Sequence, residues 1–303
     1  MLIGRNTLTN TEQQFVNTLL IGETEFRWGE RTFIMGVVNA TPDSFSGDGV
    51  LPNPGDIRQA LDQALRMQYE GADIIDIGGE STRPKNIYAD AQPVGAEEEI
   101  ERVVPIIEAL RGNLAVPISI DTRKAKVARA AISAGAHLVN DVSMLGDPDM
   151  PVFVAENAVP IVVSHIRKRG HSDDVVDDVI TDLELAVATL TNHGLRRSSI
   201  LLDLGIGFAK TAGQSIDLLR KIEHIRHRLK SPILIGTSRK SFIGSVTEEP
   251  VADRKFGTAA TVALAIKGGV DVVRVHDVKQ MVTVAKMSDA IARFGENRSR
   301  TDA

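Results

Sequence analysis

Polar and charged side chains follow short aliphatic runs along the whole chain, and these are the residues best suited to chemistry. They include amides, carboxylates, cations and an imidazole, each close to the end of its run: Asn39, Asp121, Asn140, Asp203, Lys240, Arg274 and His276. Where Asn140 and Asp141 are adjacent, we assign Asn140 to the site and expect Asp141 to cap the following segment. Such groups at the ends of aliphatic strands are typical of an enzyme site.

These side chains form two chemical sets. The first mixes donors and acceptors suited to the edge of a flat heterocycle: Asp121, Asn140, Asp203 and Lys240. The second is cationic and suited to an anion: Arg83, Arg239, Arg274 and His276. The planar fork of arginine matches phosphate oxygens. We therefore predict a polar heterocyclic substrate that carries phosphate or pyrophosphate.

The composition argues against several other classes of function. The 303 residues include no Cys, which removes disulfides, thiolate metal sites and cysteine nucleophiles. The 35 Lys and Arg against 40 Asp and Glu give a net charge of −5, unlike that of a protein held on nucleic acid by phosphate contacts. No apolar run approaches the ~20 residues of a membrane span, and the N-terminus lacks the features of a secretory signal. We expect neither nucleic acid nor membrane as a partner.

Four other polar segments each allow two interpretations. Glu80 either braces its loop or touches substrate. The glycines of residues 203–207 favour a tight turn over a phosphate cradle, because their spacing alone is a weak signal. Residues 168–171 favour a solvated loop over an anion patch. Asp43 and Asp48 are either metal ligands or turn formers.

Eight near-continuous aliphatic runs predict strands that are buried on both faces, as in a parallel sheet. The runs are Phe33–Val38, Asp73–Ile77, Pro117–Ile120, His137–Val139, Pro160–Val163, Ile200–Leu202, Pro232–Ile235 and Asp271–Val275. Eight helical patterns alternate with them: Ile57–Leu65, Ile100–Leu110, Val127–Ala134, Val152–Ala158, Ile180–Leu190, Leu218–Leu229, Phe256–Ile266 and Met281–Ile291. This alternation predicts an α/β fold, a (β/α)8 TIM barrel, and a doubly wound sheet is the less favoured alternative. Arg239 and Arg274 would then lie in the loops where barrels commonly bind phosphate.

The chain divides into three predicted parts. Residues 1–31 form an N-terminal extension, residues 32–294 a single barrel, and residues 295–303 a polar tail that we expect to be disordered. Within the extension, Thr9–Leu20 suggests a short helix. Glu25–Phe33 suggests a hairpin that turns at Gly29 and closes the bottom of the barrel.

Several ordered motifs carry a family resemblance. They are Met35–Gly49 (MGVVNATPDSFSGDG), Gly71–Pro84 (GADIIDIGGESTRP), Ile118–Thr122 (ISIDT), Gly135–Val142 (GAHLVNDV), Leu201–Thr211 (LLDLGIGFAKT), Gly236–Gly244 (GTSRKSFIG) and Val273–Val278 (VRVHDV). In this order and spacing the chain resembles dihydropteroate synthase, a folate-pathway family. The resemblance implies a pterin-binding transferase with a TIM barrel fold. Its members are sulfonamide targets that require Mg²⁺, and they are expected to be cytoplasmic homodimers.

The reaction implied by the resemblance joins 6-hydroxymethyl-7,8-dihydropterin pyrophosphate to p-aminobenzoate, releasing pyrophosphate. By similarity, the pterin ring and the catalytic chemistry involve Asp121, Asn140, Asp203, Lys240 and Arg274. Asn39 is expected to help hold the Mg²⁺ that accompanies pyrophosphate. The pyrophosphate and p-aminobenzoate contacts are expected from Thr82, Arg83, Arg239, Ser241 and His276, in addition to Asn39.

Three departures from the family pattern leave alternatives open. Leu204 stands where the family usually has Pro, Ser164-His165-Ile166 replaces Met-His-Met, and the first loop reads Ser-Gly-Asp-Gly in place of Ser-Asp-Gly-Gly. One alternative is a pterin-binding paralogue with weak or no synthase activity. A second is a methyltetrahydrofolate methyltransferase-like protein, which the segments Ser-Arg-Lys-Ser and Val-His-Asp-Val disfavour because they supply pyrophosphate contacts.

Overall fold

The structure, a computed structural model, describes residues 18–40, 54–80, 94–167, 170–172 and 174–293 of the chain. The strands in these ranges are β1 (Thr18–Ile21), β2 (Thr24–Arg27), β3 (Phe33–Asn39), β4 (Ile74–Gly78), β5 (Ile118–Asp121), β6 (Leu138–Asp141), β7 (Ile161–Ser164), β8 (Ile200–Asp203), β9 (Ile233–Ile235) and β10 (Val272–Val275). The α-helices are α1 (Pro54–Tyr69), α2 (Ala96–Leu110), α3 (Ala125–Ala134), α4 (Asp149–Glu156), α5 (Val175–Asn192), α6 (Ala212–Arg220), α7 (Ile222–Leu229), α8 (Ser241–Thr247), α9 (Lys255–Lys267) and α10 (Val278–Ala292). None of the described helices is long and apolar enough to cross a membrane.

The eight strands β3 to β10 close into a parallel barrel in sequence order, with β10 beside β3. This confirms the predicted (β/α)8 barrel. The register brings Asn39 opposite Gly78, Gly78 opposite Asp121, and Asp121 opposite Asn140. Ser164 likewise lies opposite Asp203. The carboxyl ends of neighbouring strands therefore meet at one level, at the mouth of the barrel.

Two apolar clusters form the core. The larger lies between the barrel and its surrounding helices, and its side chains are mostly Ile, Val, Leu and Ala. The smaller fills the lower interior, where Met35, Leu138 and Leu201 meet side chains from the β1–β2 hairpin. Near-continuous aliphatic strands are explained by this arrangement, because alternate side chains face the two clusters.

The N-terminal hairpin differs from its prediction in position but not in role. Residues 18–20, expected to end a helix, lie in strand β1, and residues 9–17 lie outside the described residues. The hairpin turns at Gly22 (φ 59°), whereas Gly29 (φ 86°) lies in the turn that leads into β3. Burial alternates along β1 as it does in a strand. Leu19 and Ile21 point into the barrel, while their neighbours are exposed. The expected closure of the barrel bottom is confirmed.

Two helical segments also differ from expectation. The single helix expected over Leu218–Leu229 is two helices, α6 and α7, with Lys221 between them. A short helix, α8, follows β9, where no helix was predicted. The division of the chain at residues 31 and 294 stays a prediction, and residues 294–303 lie outside the described residues.

Two carboxylates, the buried Asp289 and the half-buried Asp73, connect elements at the bottom of the barrel. Asp289 of α10 accepts hydrogen bonds from the Thr32 backbone N–H (2.8 Å), the Thr32 hydroxyl (2.8 Å) and the Arg293 guanidinium (2.7 Å). At the foot of β4, Asp73 accepts a hydrogen bond from the Ile34 backbone N–H (2.8 Å). These carboxylates hold the start of β3 in register before the chain reaches the mouth.

Asp289→Ala is expected to lower the free energy of unfolding by about 2–4 kcal/mol, because it leaves buried donors and a guanidinium without their acceptor. Chemical denaturation followed by circular dichroism measures this difference. Asp253→Ala, at an exposed carboxylate, is the matched control and should change the free energy little. Equal losses in the two variants would contradict the assigned role.

Candidate active site

A pocket opens to solvent at the carboxyl ends of the strands. Its lining combines acids, amides and cations with a few apolar groups: Asn140, Val142, Asp203, Phe208, Gly236, Ser238, Lys240, Arg274 and His276. Five of these are residues that the sequence assigned to the site. The five come from the ends of four strands, β6, β8, β9 and β10, or from the loops after them, as expected of a barrel active site.

Arg274 of β10 organises one wall of the pocket. Its Nε donates to Asp76 Oδ2 and its Nη2 to Asp121 Oδ2, both at 2.6 Å. Asn140 Nδ2 donates to the same Asp76 oxygen at 3.0 Å. Asp76 is fully buried, so these contacts compensate for its desolvation. Asp76 belongs to the site, and the sequence analysis missed this role although it noted the residue's strand.

Burial raises the pKa of Asp121 to about 7, although the charge of Arg274 opposes the rise and Asp76 adds to it. Two carboxylates thus share a single guanidinium in a dry part of the barrel. A group with such a pKa changes charge near neutral pH, where the charge balance around Arg274 affects any bound ligand.

Asp203 is fixed at both carboxylate oxygens. Gly205 N–H donates to Oδ1 (2.9 Å), and the Ser164 hydroxyl donates to Oδ2 (3.1 Å). The serine that departs from the family pattern therefore holds an acid of the pocket in place. Leu204, the second departure, is fully buried in the apolar core.

The turn after β8 depends on glycine. Gly205 and Gly207 have φ angles of 64° and 77°, in the left-handed region that favours glycine. A Cβ on Gly205 would lie 1.8 Å from the carbonyl oxygen of His165, which excludes any other residue there without a backbone shift. The preferred interpretation of these glycines as a tight turn is confirmed.

Lys240 reaches across the pocket to this turn. Its ammonium donates to the carbonyl of Ile206 and lies 4.0 Å from the centroid of the Phe208 ring. Burial lowers the pKa of Lys240 to about 8, against the opposing charge of Asp203. Phe208 is a second site residue missing from the sequence analysis. The one feature of the sequence that could have indicated Phe208 is an aromatic residue within a glycine-rich turn after a strand.

His276 and Ser238 form the far side of the pocket. His276 Nδ1 lies 2.9 Å from the Ser238 hydroxyl, which also accepts the His276 backbone N–H at 3.3 Å. Ser238 was not among the expected site residues. The pair presents an imidazole and a hydroxyl to the pocket, whose lining also includes Arg274.

Arg239 is placed differently from its expected phosphate contact. Its guanidinium binds Asp277 through two hydrogen bonds (3.0 and 2.7 Å), and the residue does not line the pocket. The backbone of Arg239 is left-handed (φ 58°), and its amide donates to the Thr258 hydroxyl. The carboxylate of Asp277 therefore already neutralises the charge that was assigned to a phosphate.

The remaining expected residues lie around the rim. Asn39 ends β3 and is half-buried, and Ser241 is the exposed first residue of α8. Thr82, Arg83, Asp43, Asp48, Lys168 and Arg169 lie outside the described residues. Within the described ranges, no group of three or more His, Asp or Glu side chains is placed to hold a metal ion.

Two further acids make structural contacts. Glu80, for which two roles were left open, pairs with Lys124 (2.6 Å) and with Arg123, so it links its loop to the loop after β5. Asp141 accepts hydrogen bonds from the backbone N–H groups of Ser143 (2.9 Å) and Leu145 (2.5 Å). Asn140, and not Asp141, lines the pocket.

Comparison with known proteins agrees with this geometry. Residues 35–276 match the family described as pterin binding enzyme. The chain is 43% identical to dihydropteroate synthase of Synechocystis sp. over 94% of this chain and 99% of that protein. It is 45% identical to dihydropteroate synthase of Bacillus subtilis over 88% of this chain and 90% of that protein.

The fold also matches a solved structure of the same kind. The dihydropteroate synthase of Xanthomonas albilineans in complex with 7,8-dihydropteroate superposes with a TM-score of 0.80 at 34% identity. The match covers 92% of this chain and all of that one (100%). The chain belongs to the pterin-binding enzyme family and, within it, to the dihydropteroate synthases, transferases of folate biosynthesis.

Proposed function

We propose that this chain condenses 6-hydroxymethyl-7,8-dihydropterin pyrophosphate with p-aminobenzoate, giving 7,8-dihydropteroate and pyrophosphate. The observation that carries the proposal is a single pocket lined by two chemical sets. Asn140 and Asp203 supply an amide and a carboxylate, while Arg274 and His276 supply a guanidinium and an imidazole. We place the pterin at the first set, the amide and carboxylate end, and the pyrophosphate at the second, the cationic end. That arrangement suits a heterocycle joined to pyrophosphate, and the relatives named above supply the identity of the heterocycle.

The pterin ring binds at the amide and carboxylate end. Its amino and ring N–H groups require acceptors, and its carbonyl requires a donor. Within the described part of the chain, Asn140 Oδ1 and Asp76 Oδ1 are buried and have no hydrogen-bond partner. Such acceptors are costly unless a ligand satisfies them, which supports this placement. Lys240 is the donor for the carbonyl, and Phe208 forms an apolar wall.

Pyrophosphate leaves from the cationic end. The bond from the exocyclic methylene to the pyrophosphate oxygen breaks, and both electrons depart with the oxygen. Arg274 and His276 stabilise the negative charge that develops there, as preorganised donors do in other enzymes. Thr82 and Arg83 remain proposed contacts for this half of the reaction, and so does Arg239 after release from Asp277.

The methylene cation that remains is shared with the pterin ring. Asp203 and Asp121 stabilise it electrostatically, because Asp203 lines the pocket and Asp121 lies directly behind its Arg274 wall. The neutral arylamine of p-aminobenzoate then forms the carbon–nitrogen bond and releases one proton. This step requires no side-chain nucleophile, because the arylamine is itself the nucleophile.

Mg²⁺ is part of the proposal, with Asn39 as its protein ligand. The amide oxygen of Asn39 is a hard donor, and the strand register brings the residue to the level of Asp121 and Asn140 at the mouth. Mg²⁺ is commonly held by one or two protein oxygens together with substrate phosphates, so this single ligand fits. Bound there, the ion would neutralise charge on the pyrophosphate.

The direct test is a pyrophosphate-release assay with purified protein, the pterin pyrophosphate, Mg²⁺ and p-aminobenzoate. We expect release only when both organic substrates are present, together with dihydropteroate identified by mass. Omitting p-aminobenzoate is the control for simple hydrolysis. Binding of the pterin without any product would instead identify a pterin-binding paralogue.

The pH dependence of kcat/KM is expected to be bell-shaped. Because Asp121 must be ionised to stabilise the cation, activity should fall as pH drops below its pKa of about 7. Because Lys240 must be charged to donate to the pterin, activity should also fall as pH rises above its pKa of about 8. kcat/KM reports the free enzyme. A profile that is flat from about pH 5 to 10 would contradict both assignments.

A homodimer is proposed through helices α9 and α10, which pack side by side. Large apolar side chains on these helices are exposed: Phe256 (82%), Leu264 (64%), Met287 (62%) and Ile291 (73%). An apolar patch of this kind marks an interface with a partner, here a second copy of the chain. A cytoplasmic location stays a prediction from the family resemblance.

The oligomer test uses light scattering after size exclusion. The wild type is expected at twice the chain mass, and Leu264→Glu with Ile291→Glu at the mass of one chain. Leu185→Glu, at an exposed leucine of α5, is the control and should leave the dimer intact. A monomeric wild type would overturn the proposal.

A further inference from the structure

We propose that Lys210 is a positioning residue of the pterin site, whose ammonium holds the turn after β8 against the end of β7. The inference rests on the proposed function and adds a residue to it. Lys210 does not line the pocket, and it lies behind the wall that carries Asp203, Ile206 and Phe208.

The ammonium of Lys210 is surrounded by acceptors. Its Nζ lies 2.9 Å from His165 Nδ1, 3.0 Å from the carbonyl of Gly205, and 3.3 Å from the carbonyls of His165 and Phe208. Three of the four acceptors are backbone oxygens, so the side chain holds backbone from two separate segments. These acceptors compensate for the burial of Nζ, which lowers the pKa of Lys210 to about 7.

His165 connects this contact to the helix layer. The imidazole is fully buried, and its Nε2 lies 3.1 Å from Asp182 Oδ2 on α5. Burial and the charge of Lys210 lower the pKa of His165 to about 4, so the ring is neutral. It therefore accepts from Lys210 at Nδ1 and donates to Asp182 at Nε2. Arg167 holds the same carboxylate through two hydrogen bonds (2.8 and 3.0 Å).

The backbone of the turn explains why a donor is needed at this point. Gly205, Gly207 and Ala209 all have positive φ angles (64°, 77° and 48°), so the chain winds tightly. This winding directs the carbonyls of Gly205 and Phe208 inward onto the same point. Without a donor there, these oxygens would face each other with their partial negative charges unbalanced.

The held turn carries three contacts of the pterin pocket. Gly205 N–H fixes Asp203 Oδ1, the Ile206 carbonyl accepts from Lys240, and the Phe208 ring lies against the same ammonium. Lys210 is bonded to the first and last residues of this four-residue span. A shift of the turn would therefore misplace an acid, a cation and the apolar wall together, without any change in the residues that touch substrate.

Lys210→Met tests this, because methionine has similar length but neither charge nor donors. We expect the Kd for the pterin pyrophosphate, measured by calorimetry, to rise about 10- to 100-fold. Lys221→Met, at an exposed lysine after α6, is the matched control and should bind like the wild type. Thermal unfolding of each variant, followed by circular dichroism, reports whether the barrel is folded.

A double-mutant cycle separates positioning from general support. If Lys210 acts through the turn, Lys210→Met should have a much smaller effect in a Phe208→Ala background than alone. Lys210→Gln retains a donor, so its Kd is expected between those of wild type and Lys210→Met. If Lys210→Met does not fold, the cycle is run with Lys210→Gln. A coupling energy between Lys210→Gln and Phe208→Ala would then support the positioning role, and additive effects would contradict it.

The outcomes distinguish this inference from the proposed function. A folded Lys210→Met with wild-type Kd would overturn the inference, and so would effects that add with those of Phe208→Ala. A wild type that binds the pterin but forms no dihydropteroate would overturn the proposed reaction while leaving the positioning role supported by the binding data.

Discussion

Lys240→Ala is expected to lower kcat/KM by about 10²- to 10³-fold while leaving the barrel folded. The side chain ends in the pocket, where it contacts the Ile206 carbonyl and the Phe208 ring. Removing it therefore withdraws a charged donor from the pterin without opening the apolar core. Steady-state kinetics with the pterin pyrophosphate varied at saturating p-aminobenzoate measure the loss.

Lys221→Ala is the matched control for that variant, because Lys221 is exposed between α6 and α7. It should retain wild-type kcat/KM. Lys240→Ala should unfold cooperatively at a temperature close to that of the wild type. Turnover of Lys240→Ala at the wild-type rate would remove Lys240 from the site and leave the donor for the pterin carbonyl unassigned.

Asp76→Asn is expected to lower kcat/KM by about 10- to 100-fold, although Asp76 was not among the residues assigned to the site from sequence. The carboxylate receives Arg274 Nε (2.6 Å) and Asn140 Nδ2 (3.0 Å), so it aligns two pocket side chains at once. Asparagine keeps the shape but removes the charge, and the guanidinium is then held by Asp121 alone.

The pH profile provides a second readout for Asp76. The charge of Asp76 helps to raise the pKa of Asp121, so its removal should lower that pKa and move the acidic limb of kcat/KM to lower pH. Asp62→Asn, at an exposed carboxylate of α1, should leave the limb in place. An unmoved limb in Asp76→Asn would show that Asp121 does not control it.

The barrel itself was predictable because its signal is local. A strand buried on both faces must be aliphatic throughout, and the helix that follows must show its own period. All eight runs are strands in the structure, within a residue or two of their expected ends. The position of the hairpin was predicted wrongly because its first strand has only four residues. Alternation of Leu19 and Ile21 with exposed residues over so short a segment does not distinguish a strand from the end of a helix.

The site was predictable to the extent that strand ends converge. Asn140, Asp203, Lys240, Arg274 and His276 line one pocket because parallel strands in a closed barrel present their carboxyl ends at one rim. Sequence determined this set, because polar groups recur at the ends of successive aliphatic strands and those ends meet.

Only the tertiary structure decided how these groups are paired. Asp76 joins Arg274 across 198 positions of sequence, and Lys210 meets His165 across 45. The placement of Arg239 against Asp277 likewise depends on a left-handed residue and a neighbouring loop. A hydrogen bond requires atoms within about 3 Å, and no periodicity in the sequence records which distant side chains the closed barrel brings that close. The sequence therefore determined the fold and which polar side chains lie at the mouth of the barrel. Packing determined which of these side chains are paired with each other and which can contact a substrate.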